Sequence, residues 1–430
     1  MASTTWPKVN PALVYVATSP FGQDGPYAGH LSTDLTLAAM GGEAALNGDA
    51  DRAPVRISTP QSWHHAAAES GAAALIAHHR RLQTGEAQFV DVSVQAAVTW
   101  TAIQAMTAAV GRAWNARDAP PARGVGAAAG VPGIDGECVI APIGSTVPGF
   151  VTWMIEDGTV PETWRDDDPW PQYDLIMLTG GQLNHSMEEL LEKIAAFTAK
   201  YPKAELMERG LQCGVTIAPV STVADVLRFE HLNARGYWRE DDLPGHGKVK
   251  LPGPFAWPQK TPLLKSGAAP LQPAAPGSIA ARSVAGGAPG AAKGRLPFEG
   301  LKIADFAWIG AGRFPRYFAD HGATVIRVET VNPPDRLRNV GPFKDGVAGV
   351  NQSQFFAMAN SSKKGIILDL KSEAGKDVAR KLLAWCDVAE SFTPGTMAEA
   401  REPGMTWRDT NPRHHHGQHL PDGTDEISGA

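Results

Sequence analysis

Cysteine is nearly missing from this sequence: Cys138, Cys213 and Cys386 are the only three in 430 residues, far apart and without a CxxC or His-spaced pattern. That excludes a disulfide framework and gives no metal site, and it predicts a chain that works in a reducing cytoplasm. A basic surplus is missing too, because 39 Lys plus Arg stand against 45 Asp plus Glu, for a net charge of −6. No overall field draws in nucleic acid or an anionic membrane, so an anionic ligand must be held by local clusters. No run approaches the ~18 apolar residues of a membrane span. The opening Met1-Ala-Ser-Thr-Thr-Trp-Pro-Lys8 also lacks an apolar signal core, which predicts an unprocessed chain with no membrane partner. What is there, 43% hydrophobic and 20% charged residues, is the balance of a globular enzyme. The length fits two or three domains.

Punctuation along the chain divides it. Residues 1–110 open abruptly on a buried-type strand, Ala12 to Thr18, and continue through a Gly/Pro loop, Ser19 to Tyr27, and a helix at Asp34 to Met40. A long helix over Gln61 to Leu82 follows, stopped by Thr84-Gly85, then a strand at Phe89 to Val94 and an Ala-rich helix from Gln95 to Val110. Residues 111–135, rich in Gly, Ala and Pro, read as a linker. Residues 136–245 read as a small α+β domain and 246–264 as a return segment, with a strand from Lys248 to Phe255 leaving that domain. Residues 265–296, nearly all Ala, Gly, Pro and Ser, have a tether's composition. Over 297–404 short apolar strands alternate with helices, which predicts a parallel sheet covered on both faces. Residues 405–430 have no apolar periodicity and read as a disordered tail. The fold class expected is α/β: an open, mostly parallel, Rossmann-like sheet plus the second, smaller α+β domain.

Gly310-Ala-Gly312 after a strand, with Glu329 closing the next, imitates a dinucleotide fingerprint, in which glycines admit a phosphate and the acid binds ribose. The full GxGxxG is incomplete, with Pro at 315. An NAD(P) oxidoreductase is therefore an alternative reading.

A more extensive pattern runs through Leu301-Lys-Ile-Ala-Asp-Phe306, Gly310-Ala-Gly312, Ala319 to Glu329, Asp335-Arg336, Asn360-Ser-Ser-Lys-Lys-Gly365, Leu368-Asp-Leu-Lys371 and Glu390-Ser-Phe-Thr-Pro-Gly395. In that order it resembles the front of the class III CoA-transferase (CaiB/BaiF) family, which includes formyl-CoA and carnitine CoA-transferases and α-methylacyl-CoA racemase. Asn10-Pro11, Ser19 to Tyr27, Thr84-Gly85, Gln88-Phe-Val-Asp-Val-Ser93 and Pro252-Gly-Pro-Phe255 resemble the same family's next stretch. The back of one family unit thus precedes the front of another, as in a piece of a two-copy protein. The strand at 12–18 is then expected to complete the sheet of 301–392, within the chain or between two chains. The resemblance implies coenzyme A as substrate rather than cofactor, acyl-CoA and a carboxylic acid as partners, and an interlocked homodimer or pseudo-dimer. It maps CoA contacts onto Gly310, Ala311 and Phe392, with Arg313 and Ser391 departing from the family pattern. The basic pairs Arg336 and Arg338, and Lys363 and Lys364, suit its phosphates.

Transferases of this family use an Asp nucleophile at the start of the helix that ends Thr-Gly. By resemblance its place here is Trp63, in Gln61-Ser62-Trp63-His64-His65, and an indole is no nucleophile. The racemase pair falls on Trp63 and on Thr33, beside Asp34. The catalytic residue is unassigned, with His64, His65 and Glu69 as weaker alternatives to plain helix packing. His78-His79 and His414 to His416 read as surface histidines. A CoA-binding pseudo-subunit stays open beside an active transferase.

Overall fold

The computed structural model describes residues 10–48, 51–102, 129–142, 146–173, 176, 181–243, 245–258, 260–261, 295–307, 314–330, 334–339, 343–347, 349–390 and 415–417. Gly310, Ala311, Phe392 and almost all of the 265–296 stretch lie outside them. The described residues within 1–124 and 283–418 form one compact unit, and those within 125–282 form a second.

In the first unit β1 (Val14–Ser19) is followed by α1 (Asp34–Met40), the long α2 (Ser62–Thr84), β2 (Gln88–Ser93) and α3 (Val94–Thr101). Gly85, at φ +72°, closes α2 in the left-handed conformation that its sequence position predicts. β1 and β2 pair in parallel, Val14 beside Gln88 through Ser19 beside Ser93. Leu37, Ala66, Val94 and Ala97 close a small core beneath them.

The second unit holds an antiparallel sheet of β3 (Ala129–Gly133), β4 (Gly136–Ile140) and, after α4 (Val147–Glu156), α5 (Met187–Thr198) and α6 (Lys203–Cys213), β5 (Ile217–Pro219). Two short helices, Val223–Arg228 and Glu230–Ala234, precede the hairpin of β6 (Trp238–Leu243) and β7 (Gly247–Pro252). Two expectations change here. β3 lies inside the stretch whose composition reads as linker, because Val131 is buried against β4 and the core. The segment read as a return from this domain instead folds back on β6. Pro148 and Gly149 disguise the start of α4 as a loop, yet a Cβ on Gly149 would lie 2.5 Å from Val215 Cγ2, so close packing accounts for the glycine.

The first unit resumes with β8 (Lys302–Asp305), α7 (Phe314–Asp320), β9 (Thr324–Glu329), α8 (Gln354–Asn360), β10 (Lys364–Ile367), α9 (Glu373–Trp385), β11 (Val388–Glu390) and β12 (His415–Gly417). α9 is capped by Ser372, whose Oγ accepts from the Gly375 N–H at 3.1 Å, and it buries Ala379, Leu382 and Leu383 at helical spacing. The sheet order is β10-β9-β8-β11-β12, with every pair parallel. Counted along the chain this is 3-2-1-4-5, the doubly wound arrangement. β12 corrects two expectations, since part of the tail is a strand and it occupies the edge of β11 that β1 was expected to take. Among the described residues β1 pairs with β2 alone. The two segments meet through α2 instead: the His79 ring lies tilted against Phe298 with centroids 5.3 Å apart, and Gln83 Nε2 donates to the Pro297 carbonyl at 3.2 Å.

Candidate functional site

Ligands of open parallel sheets bind beyond the carboxyl ends of the strands, where the strand order reverses, which here is between β8 and β11. Asp305 ends β8 and Glu390 ends β11, and the two are register partners. Asp305 is fully buried, and its Oδ1 accepts from Arg327 Nη1 at 3.1 Å while its Oδ2 accepts from Lys363 Nζ at 2.8 Å. Arg327, in the middle of β9, also donates to Asp335 through Nη2, and Asp335 accepts the Leu337 N–H at 2.9 Å. Lys363 donates as well to Asn360 Oδ1 at 3.0 Å. Burial holds its ammonium below the usual lysine range, against the opposing pull of Asp305. Glu390 is only 2% exposed, and neither carboxyl oxygen has a hydrogen-bond partner among the described residues. Burial, then the neighbouring Asp305, pushes its pKa up to about 8, with Lys363 and Arg327 working the other way.

The expected anion-binding residues therefore divide. Lys363 is engaged in this buried network. Arg338 forms a two-pronged pair with Glu329, Nε to Oε2 at 2.7 Å and Nη2 to Oε1 at 2.8 Å, reaches the Val350 carbonyl and Asn351, and stacks 3.6 Å over Phe356. With its carboxylate so occupied, Glu329 is poorly placed to take a ribose, which removes the main support for the dinucleotide reading. Lys364 is exposed at the start of β10 and takes no part in the network. Arg336 has its backbone in the turn Arg336–Asn339, and its side chain lies outside the described residues. Sequence reasoning missed Asp305, Arg327, Asp335 and Glu390 as a group. The available signal was Arg327, a charged residue in a strand whose neighbours Val325 and Val328 are core apolar positions.

At the start of α2, Trp63 is 41% exposed. Ser62 beside it is buried, with its N–H donating to Asp34 Oδ1 at 2.9 Å and its hydroxyl to the Asp34 carbonyl at 3.1 Å. Thr33 caps α1 by accepting from the Thr36 N–H at 3.3 Å, so Thr33 and Asp34 both serve to fix helix starts. His64 is exposed and His65 half-buried, neither with a carboxylate partner among the described residues. Glu69 accepts from the Tyr317 hydroxyl at 3.3 Å, and burial followed by Glu69 pushes that phenol up to about 12. His78 contacts Arg81 at 2.7 Å and His79 contacts Gln83 at 3.0 Å, both interactions internal to the helix. No group of three or more metal-ligating side chains occurs among the described residues, and none of their helices is long and apolar enough to cross a membrane.

Known proteins are similar to this chain over most of its length. Residues 1–273 and 298–414 match the model of CoA-transferase family III, and the break between them overlaps the Ala/Gly/Pro-rich stretch. A probable CoA-transferase of Mycobacterium tuberculosis is 30% identical over 419 residues, which is 90% of this chain and 47% of that protein. The BbsE subunit of succinyl-CoA:(R)-benzylsuccinate CoA-transferase from Thauera aromatica is 31% identical over 244 residues, 54% of this chain and 55% of that one. Among solved structures, a CaiB/BaiF family protein from Brucella suis aligns over 58% of this chain and 63% of its own, at 21% identity and a TM-score of 0.43. The chain spans about half the length of the two curated relatives described. It belongs to CoA-transferase family III.

Proposed function

We propose that this chain binds coenzyme A at the carboxyl ends of β8 and β11 but does not by itself transfer CoA between an acyl-CoA and a carboxylic acid. The observation that carries this reading is the start of α2. There an indole, Trp63, stands where the family resemblance puts a carboxylate, and the next carboxylate on the helix, Glu69, is held by Tyr317. A transferase of this type forms an acyl anhydride and then a thioester on a carboxylate, and a carbon-bound indole ring supplies neither. The reversal of strand order supports binding, and the exposed Lys364 offers a charge for a phosphate. The purified chain should bind CoA and not NAD in isothermal titration, and should give no acyl exchange between a CoA thioester and carboxylic acids. Robust exchange that survives Glu69→Ala would overturn the catalytic half of the proposal, and binding of NAD in place of CoA would overturn the other half. On this reading, a cytoplasmic protein working with a second copy or a longer partner would supply the missing carboxylate.

A further inference from the structure

The network at the carboxyl ends of the strands is balanced without Glu390. Arg327 and Lys363 carry two positive charges, and Asp305 and Asp335 two negative ones. An ionised Glu390 would add a third carboxylate, buried and register-paired beside Asp305, with no donor bonded to it among the described residues. A protonated one adds no charge and offers an O–H donor next to a carbonyl acceptor, both without a partner among the described residues. Buried polar groups are seldom left unpaired, and this one lies where the strand order reverses and ligands of such sheets enter. Both cations here are already committed to carboxylates, which leaves no free charge for an anionic ligand group and favours an uncharged partner.

We propose that Glu390 binds ligand as a neutral carboxylic acid, hydrogen-bonding an uncharged donor–acceptor edge of CoA while the phosphates sit elsewhere. This rests on the CoA-binding reading above. Such an edge occurs in the aminopurine ring and in the amides of the pantetheine arm. The charged groups that face Glu390 are Asp305 from β8, Arg327 from β9 and Lys363 from the turn before β10, with Asp335 behind Arg327. Asp305 favours the neutral form and the two cations oppose it, with burial deciding the outcome.

The test is acetyl-CoA affinity by titration calorimetry from pH 7 to 9.5, on the whole chain. Acetyl-CoA is chosen because its sulfur bears no proton and its phosphates are already ionised, with a second pKa near 6. Affinity should hold up to about pH 8 and then fall, approaching tenfold per pH unit. Glu390→Gln keeps a donor and an acceptor but cannot ionise, so it should bind within about threefold of wild type at pH 7 and stay flat to pH 9.5, whereas Glu390→Leu should bind poorly throughout. Adenosine 3′,5′-bisphosphate and pantetheine separate the two edges: the fragment whose binding shows the pH dependence carries the contact. Wild-type affinity flat through pH 9.5, or a Gln variant that keeps the fall, overturns the proposal. Failure of wild type to bind acetyl-CoA at pH 7 overturns the ligand assignment together with the function proposed above, and the protonation is then read without ligand. The unfolded chain loses this proton near 4.5 and the native chain near 8, so native stability attributable to Glu390 falls between those values and levels off above. The wild-type melting temperature should drop relative to Glu390→Gln across that window, and parallel curves would refute the neutral acid itself.

Discussion

The core of the second unit and the carboxyl end of the five-stranded sheet are both buried, and they are built from opposite materials. The former is apolar and aromatic: Phe150, Trp153, Tyr173, Leu190, Ile194 and Phe197 are each at most 1% exposed. Its polar handles are mostly tied, with the Tyr173 hydroxyl donating to the His185 carbonyl at 2.8 Å and Trp170 Nε1 to the Trp164 carbonyl at 2.5 Å. The latter buries Asp305, Arg327, Asp335, Lys363 and Glu390 within a few strands. Apolar burial stabilises by contact alone, whereas a buried ion set must recover a large desolvation cost through its geometry. The difference teaches that the second unit is organised for stability, while the strand ends carry charge that stability alone would not select.

The sharpest way to break that contrast is a pair of substitutions. Trp153→Ala should destabilise the second unit by about 3–5 kcal/mol through the cavity it leaves. Arg327→Met should cost a comparable ~3–5 kcal/mol by stranding the Asp335 carboxylate and leaving Asp305 to Lys363 alone. The two should differ in rescue, because Asp335→Asn restores part of the loss in the Arg327 variant, and urea denaturation of the double mutant measures it. Purely additive losses would mean that Arg327 and Asp335 do not act as a pair.

A smaller effect is expected at the rim of the sheet. Arg336→Ala with Lys364→Ala should weaken CoA about tenfold or more while affecting dephospho-CoA less, since charge-assisted contacts contribute ~1.5–3 kcal/mol each. Lys363→Ala, by contrast, should lower stability first and treat the two ligands alike, because its ammonium is committed to Asp305 and Asn360. Equal losses from the Arg336/Lys364 pair would reduce those cations to a general field.

The smallest effect is expected from the second unit's own titrating group. His185 lies 4.0 Å from the Trp164 ring, between Asp167 at 3.2 Å and Glu189 at 3.2 Å. Burial alone would depress its imidazole, but hydrogen bonds to the two acids overcome that and hold it above the ordinary value of 6.5. Its charged form therefore adds stability that is fully present below pH 6.5 and is lost as pH rises through the raised native value. Thermal melts of His185→Gln between pH 5 and 8 should show a shallower fall than wild type, and identical slopes would show that the ring is held by stacking alone.

Much of the fold is legible in the sequence where one periodicity dominates. The helix Asp34–Met40 carries an unbroken pattern and its structural limits coincide with the expected ones, and the strand–helix alternation expected over 297–404 appears as Thr324–Glu329 and Glu373–Trp385 among others. Elements whose residues serve two purposes are harder to read. Pro148 and Gly149 open a helix while resembling a loop, and Phe229, in extended conformation, separates the two short helices Val223–Arg228 and Glu230–Ala234. The site was legible only as a list of cations. Lys363 belongs to a family-like segment and Arg338 follows one closely, but nothing in their local sequence says that Asp305 and Glu329 have already engaged them. Pairing across the sheet is a property of strand order, and Asp305 and Lys363 stand 58 residues apart.

The pairing of β1 with β2 also has a consequence in time. Their register joins positions some seventy residues apart, with α2 between them, while β6 and β7 close across a tight turn. A hairpin of that kind forms in ~1–10 μs, but a long-range parallel pair waits for loop closure. During synthesis at ~5–20 residues per second, β1 is made roughly 4–15 s before its partner. For those seconds Val14, Tyr15 and Val16 form a nascent strand with an unpaired edge, the species that ribosome-associated chaperones intercept and that, uncaptured, seeds aggregation.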